Sequence, residues 1–458
     1  MATRLSTCYS HLYGDIQMTT YSIGSNFGVK YSQGKSIAIL LVLAMVPNSG
    51  YLFAENWPQW RGADFAGICA ESPVPMVWSA HENIAWRLDL PGQAGATPVV
   101  WDDRIFLTTA AENELQLWCV STAGKFLWKQ TLSADDRSVR GDEGNMASPS
   151  PSTDGKHVWA MVGTGTLACF DTNGNEIWKF NLQDRYGEFQ IQFGMASTPV
   201  LFDQRLFLQL IHGDGISDTR EALVVCLDAV TSQEIWRQPR FTEASKECEH
   251  SYASPIVYTL HGPDKAFFLT HGADYIIAHD LADGHELWRC GGLNPHSNYH
   301  PTFRFVASPS ATKNLIIVPT AKNGPVLGIR PFGRGDITDT EYVAWRYPKN
   351  TPDVPSPLAH DSLVYLCREN GNLLCLDANS AEKIYEERTV RDRHRASPVF
   401  ADGKIYLTSR GGIVTVVRAG RKFEVLATNE LEEEIASSPV FANGTLYLRT
   451  YKSLIAIQ

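Results

Sequence analysis

The stretch Gly165 to Phe180, GTLACFDTNGNEIWKF, decides the fold. Leu167, Cys169 and Asp171 alternate with Thr166, Ala168 and Phe170, the period of two that marks a strand. Asn173 and Gly174 tolerate the positive φ of a tight hairpin, and a second strand begins at Glu176 and carries Trp178. The pattern returns as LWCVSTAGKFLWK (Leu117 to Lys129), VVCLDAVTSQEIWR (Val224 to Arg237) and IIAHDLADGHELWR (Ile276 to Arg289). A fifth copy, LCLDANSAEKIYE (Leu374 to Glu386), has Tyr385 in place of Trp.

Each copy follows a small residue and a Ser or Thr before Pro, leading into a short apolar run. The prolines Pro98, Pro149, Pro199, Pro255, Pro309, Pro357, Pro398 and Pro439 are separated by 51, 50, 56, 54, 48, 41 and 41 residues, which makes eight units. Asn83 to Leu90, NIAWRLDL, looks like a Trp-bearing fourth strand without its first three, whereas Ser437 to Ile457 supplies three strands and stops. Joining the two ends in one blade closes a ring and removes its open edges. The expected fold is therefore all-β: an eight-bladed β-propeller of four-stranded antiparallel blades over residues 83–458, its last blade closed by an N-terminal strand. An open β-solenoid would not require matching ends. Trp86, Trp128, Trp178, Trp236, Trp288 and Trp345 are expected to be structural pins against the next blade. Each would contribute at most roughly 4–6 kcal/mol from burial of about 150–250 Å².

The 458 residues carry a net charge of −10, which argues against a nucleic-acid partner because a phosphate footprint needs a basic field. Residues 1–54 read as a leader: Lys30 and Lys35 precede the apolar run Ser36 to Val46, too short to span a bilayer, and small residues follow to Gly50 and Ala54. Met18 is an alternative start, and Leu52 makes the cleavage point at Ala54 imperfect. Export to the periplasm, cell envelope or exterior is expected, as a monomer with no stable transmembrane span after cleavage. Residues 55–82 form an arm whose Trp57 and Trp60 could plug or cap the ring. The nine cysteines include Cys119, Cys169, Cys226 and Cys375 at one repeat position, read as small core hydrophobes.

The repeated C-L-D-x-x-[TN]-G-x-x-[LI]-W pattern with A-S-P before each inner strand resembles the pyrroloquinoline-quinone (PQQ)-type propeller repeat over residues 56–458. That family includes quinoprotein alcohol dehydrogenases and the BamB-like propeller of outer-membrane protein assembly. The opening NWPQWRG is similar to that of exported planctomycete propellers of this type. For the dehydrogenases the resemblance implies a vicinal disulfide over PQQ and a calcium ion held by Glu and Asn beside a catalytic Asp. No adjacent cysteine pair occurs here, and acids such as Glu143 and Asp214 form no convergent ligand set. No cofactor is expected, and PQQ with calcium is the alternative.

Propeller geometry directs attention to the channel mouth, where loops entering the inner strands meet loops joining second and third strands. Arg304, Lys322, Arg368, Arg393, His394, Arg395, Arg410 and Arg449 are candidates there. They would form a cationic arc for an anionic sugar or peptide, or a solvated rim paired with nearby glutamates. His212 and His250, with His271, fall on consecutive blades and could cluster as transition-metal ligands. The expected role is a non-catalytic binding or scaffold module, possible settings including envelope protein assembly. The competing readings are a quinone-dependent dehydrogenase and a small-anion binder.

Overall fold

The quoted hairpin forms as strands Thr166–Asp171 and Glu176–Asn181, antiparallel, with Cys169 opposite Trp178. The computed structural model describes residues 56–136, 144–212, 221–321, 323–349 and 351–458, all within one compact unit, Phe53–Gln458. Eight antiparallel sheets follow one another. The first blade is complete in chain order: Val99–Trp101, Arg104–Ala111, Glu114–Ser121 and Phe126–Ser133. The inner strands of blades two to eight are Ser152–Thr153, Val200–Phe202, Ile256–Tyr258, Ser310–Ala311, Leu358–His360, Val399–Ala401 and Val440–Ala442. In blade eight the outer strand is Ile84–Asp89, pairing antiparallel with Ser453–Ile457, so the two ends of the ring share one sheet.

The apolar core lies in the seams. One cluster joins Phe106, Leu117 and Cys119 of blade one to Val158 and Phe170 of blade two, and another joins Trp159 and Cys169 to Leu206 and Val225 of blade three. Each outer-strand tryptophan crosses its seam and donates its indole N–H to a carbonyl of the next blade. Trp86 reaches Thr122 (2.8 Å), Trp128 reaches Thr172 (3.0 Å) and Trp178 reaches Ala229 (3.1 Å). Trp236 reaches Leu281 (3.1 Å), Trp288 reaches Pro331 (2.9 Å) and Trp345 reaches Ala378 (2.7 Å). The turn glycine of the motif has a second purpose. A Cβ on Gly174 would lie 2.8 Å from the Trp128 ring, and one on Gly124 2.6 Å from Trp86, so the indole packs where only hydrogen fits.

Seam seven to eight lacks this pin, because Ala427 stands opposite Val416 where the other blades place an aromatic. The arm repairs it. Trp78 stacks on Tyr406 at 6.4 Å, much as Trp236 packs on Phe207 at 6.0 Å, and its backbone N–H donates to Asn429 Oδ1 (2.9 Å). The rest of the arm crosses the ring. Trp57 exchanges backbone hydrogen bonds with Val100, the Pro58 carbonyl accepts from Thr153, and Gln59 Oε1 accepts from Leu201. On the opposite side Arg61 donates to Pro357 O (2.8 Å), and Ile68–Cys69 pairs parallel with Val399–Ala401. All these contacts fall along the inner strands, so the arm closes that end of the channel.

Candidate functional site

The Ser or Thr before each inner-strand proline does more than open a strand. The Thr97 N–H donates to Ser150 Oγ (2.9 Å), Ser150 to Thr198 Oγ1 (3.1 Å), Thr198 to Ser254 Oγ (3.0 Å) and Ser254 to Ser308 Oγ (2.8 Å). Ser308 continues to Ser356 (2.9 Å), Ser356 to Ser397 (2.9 Å) and Ser397 to Ser438 (3.1 Å), whose N–H returns to Thr97 Oγ1 (3.2 Å). This is a closed belt, with one hydrogen bond across every seam. It also corrects the repeat register. In blade two the position belongs to Ser150 and Pro151 rather than Ser148 and Pro149, so the spacing is 53 residues from Pro98 and 48 to Pro199. None of the belt hydroxyls donates to a protein acceptor among the described residues, so each retains its hydrogen for a ligand or water.

The belt lines a cavity of about 330 Å³ at the channel mouth. Trp60 of the arm also lines it, and because the arm lies along the inner strands past the belt, Trp60 forms its floor. Above the belt stand Tyr252, two residues before Ser254, and Arg395, two before Ser397, with Arg304 four before Ser308. Arg410 and Tyr451 come from the loops joining second and third strands of blades seven and eight. Both families of loops thus meet at one cup.

Three guanidiniums face one carboxylate, Asp353, among the described lining residues. Arg304 lies over the Phe193 ring at 4.7 Å and 3.5 Å from Glu247 Oε2; Arg395 is 4.0 Å from Glu369 Oε1. Tyr252 is buried, its phenol pushed well above the usual range by desolvation. Its hydroxyl lies close to the backbone of Gln192 and Phe193.

Of the arc expected from sequence, the structure brings Arg304, Arg395 and Arg410 together. The other described members are elsewhere. Arg449 is fully buried and donates to the carbonyls of Ala94 and Gly92 (the latter 3.0 Å), so it is a structural clamp, with burial pulling its guanidinium down to about 9. Arg393 pairs with Glu369 (2.7 Å) in a separate shallow groove with Arg388 and Arg391. Arg368 bonds Asn323 (2.8 Å) and approaches Glu386 (3.4 Å). His394 is buried, its Nδ1 3.0 Å from the Asp392 carbonyl. Lys322, Glu143 and Asp214 lie outside the described residues.

The histidines do not converge as metal ligands, the alternative their spacing had left open. His212 and His250 are buried neighbours, and His212 is lowered to about 4 by burial and then by the His250 charge. His271 is fully buried and lowered to about 3, chiefly by desolvation. Among the described residues the three supply no shared metal-binding set, and the grouped ligands that do occur are the half-buried Asp280 with the exposed Asp283 and His285.

Sequence reasoning gave Trp60 a plugging role but missed Tyr252, Tyr451 and the belt as components of a site. A signal existed for the belt, since a hydroxyl stands at one position of every repeat.

A family model described as outer membrane protein assembly factor BamB matches residues 163–419, more than half of the chain. Among solved structures, BamB from Moraxella catarrhalis superposes with a TM-score of 0.59 at 12% identity, covering 82% of this chain and 99% of that one. Quinohemoprotein alcohol dehydrogenase ADHIIG from Pseudomonas putida HK5 gives 0.62 at 12% identity, covering 88% and 80%. The computationally designed Ika8 protein gives 0.53 at 12% identity, covering 81% and 99%. No curated protein sequence matches the chain. At these identities the structural likeness concerns the fold alone. The dehydrogenase neighbours raise the question of a calcium-held quinone, and the described lining does not fit one, because a hard cation wants six to eight oxygens and Asp353 is the one carboxylate there. The repeat, the eight blades and the family match together place this chain in the PQQ-like β-propeller family described by the assembly factor BamB.

Proposed function

We propose that this propeller is a non-catalytic binding module of the cell envelope whose recognition site is the cup at the channel mouth, taking an anionic group. The observation that carries this reading is the convergence of Arg304, Arg395 and Arg410 over a belt of hydroxyls with free hydrogens, on a protein of net charge −10. Guanidinium forks suit carboxylate-type groups, and a local positive cup in a negative surface concentrates anions there. Residues 1–54 would direct export, in keeping with the membership of the family. The test is calorimetric titration of the full chain with citrate, a compact carboxylate probe, at low and at high salt. Binding that weakens with salt and is lost in Arg395→Ala and Arg410→Ala supports the reading; heat unchanged in both variants would remove it.

A second reading, docking of a protein partner, is supported by a row on the rim. Leu127, Ile177 and Ile235, each one residue before a seam tryptophan, are 42%, 46% and 43% exposed. Replacing all three with Glu should abolish association with any envelope partner that uses this edge; an unchanged co-purification profile would reject it.

A further inference from the structure

We infer that the end of the propeller opposite the cup docks on an anionic lipid surface, through a patch where blades four and five meet. The turns joining first to second and third to fourth strands lie at that end, so the patch is separate from the cup and does not depend on what the cup binds. In blades one, two, three, six and seven the first-to-second turn carries an aspartate: Asp102, Asp154, Asp203, Asp361 and Asp402. Blades four and five break this pattern with Lys265 and Lys313, and the long third-to-fourth turn of blade five opens with Arg330 and Arg334. All four are exposed, and among the described residues none of them forms an ion pair. Asp264 and Glu341 are the acids of these turns at the patch. Asp336 and Asp339 run on along the outer edge of blade four, beside Arg289 and into a groove that holds Asp274. Asp280 and Asp283 stand at the preceding seam, where Gly284 packs on Trp236.

Apolar tips stand among these charges. Leu260 is 36% and Phe332 40% exposed, and a Cβ on Gly262 or Gly335, in the same two turns, would meet nothing within 4 Å, so the turns project from the body. They are also held in place. The Pro331 carbonyl accepts the Trp288 indole N–H (2.9 Å), and the Phe332 ring meets His261 edge to face at 5.0 Å. His261 and Tyr258 in turn bond the Lys313 carbonyl (2.7 and 2.6 Å), which ties both turns and Lys313 into one patch. Lys265 lies over the Phe332 ring at 5.7 Å. Turn tips offer a peptide neither a slot nor a strand edge. They suit a headgroup layer: Leu260 and Phe332 enter the acyl boundary, while the lysine and arginine heads stay with the phosphates and their stems cover the apolar surface between.

Co-sedimentation of the full chain with mixed phosphatidylglycerol and phosphatidylcholine vesicles, and with pure phosphatidylcholine vesicles, at low and at high salt tests this. The expected result is binding to the anionic vesicles that weakens with salt and is much poorer on the neutral ones. A basic residue near an anionic surface contributes roughly fivefold in affinity, so Lys265→Glu combined with Lys313→Glu should weaken binding at least about tenfold. Lys125→Glu combined with Lys156→Glu, the same charge change on exposed turns of blades one and two, should leave it within about twofold. Phe332→Ser should weaken it several-fold with all four cations in place. Absence of binding, binding indifferent to salt, or an equal loss in the two charge pairs would overturn the inference. Retention on immobilised polyglutamate that matches the vesicle affinity and is unmoved by Phe332→Ser would assign the patch to an acidic protein, and would overturn it as well.

Discussion

Replacing Ser308 with Ala tests whether the belt holds the ring. Ser308 is 1% exposed, and its Oγ is the acceptor for the Ser254 N–H at 2.8 Å; Ser254 is itself 6% exposed. Removing the oxygen strands that amide in a seam, and an unsatisfied buried donor costs about 1–3 kcal/mol. The Ser308 N–H keeps its own bond to Ser356, so only one link is cut. Thr is the control, because Thr97 and Thr198 already perform the same task in blades one and three. Urea unfolding should therefore show a lower midpoint for Ser308→Ala, with unchanged slope, and a nearly native midpoint for Ser308→Thr. An Ala variant within about 0.3 kcal/mol of wild type, or a Thr variant as unstable as Ala, would refute the belt as a fastening.

Other perturbations probe other parts. Gly174→Ala places a Cβ 2.8 Å from the Trp128 ring at φ +88°, and should cost at least about 1–2 kcal/mol by chemical denaturation. Trp288→Ala removes a side chain 1% exposed together with its bond to Pro331, an expected loss of about 3–5 kcal/mol in the same assay. Stability should fall with acid: His271 and His279 are lowered to about 3 by burial, with the Arg240 charge adding to it. The unfolded chain therefore binds more protons than the folded one between about pH 6.5 and 3, and stability present above that window is lost as pH falls through it. At about 1.4 kcal/mol per unit, each ring withdraws roughly 2 kcal/mol by pH 5, measurable as a drop in thermal midpoint that His279→Gln should lessen. Trp60→Ala should deepen the cup and change ligand affinity with little effect on the seams, which a paired titration and melt would show.

The ring was legible because its packing device repeats. Cys119, Cys169 and Cys226 each face an outer-strand Trp, and the Gly and Trp of successive units are in contact, so their spacing in the chain reflects the seams directly. The cup was only partly legible, because its members come from segments that break the repeat. Arg395 and Arg449 look equivalent as polar loop cations, yet Arg449 is folded under the Gly92 to Ala94 carbonyls and Arg395 is not. His394 and Arg395 are adjacent in sequence, but a bridge between His394 and Ser409 turns the imidazole inward and leaves the next side chain on the cavity. Trp60 and Trp78 belong to no repeat. Their places depend on where the arm finds partners hundreds of residues away, although the missing aromatic at Ala427 was a visible gap for Trp78 to fill.

The central claim, that the cup is where this propeller takes an anionic group, is tested most directly by locating an anion crystallographically. Crystals of the full chain equilibrated with bromide or selenate would be examined by anomalous diffraction. The account predicts a leading peak inside the cup, within hydrogen-bonding distance of Arg395 or Arg410 and above the belt. Peaks confined to the outer blade surfaces or to the Arg388 and Arg393 groove, with the cup empty at the same concentration, would contradict it.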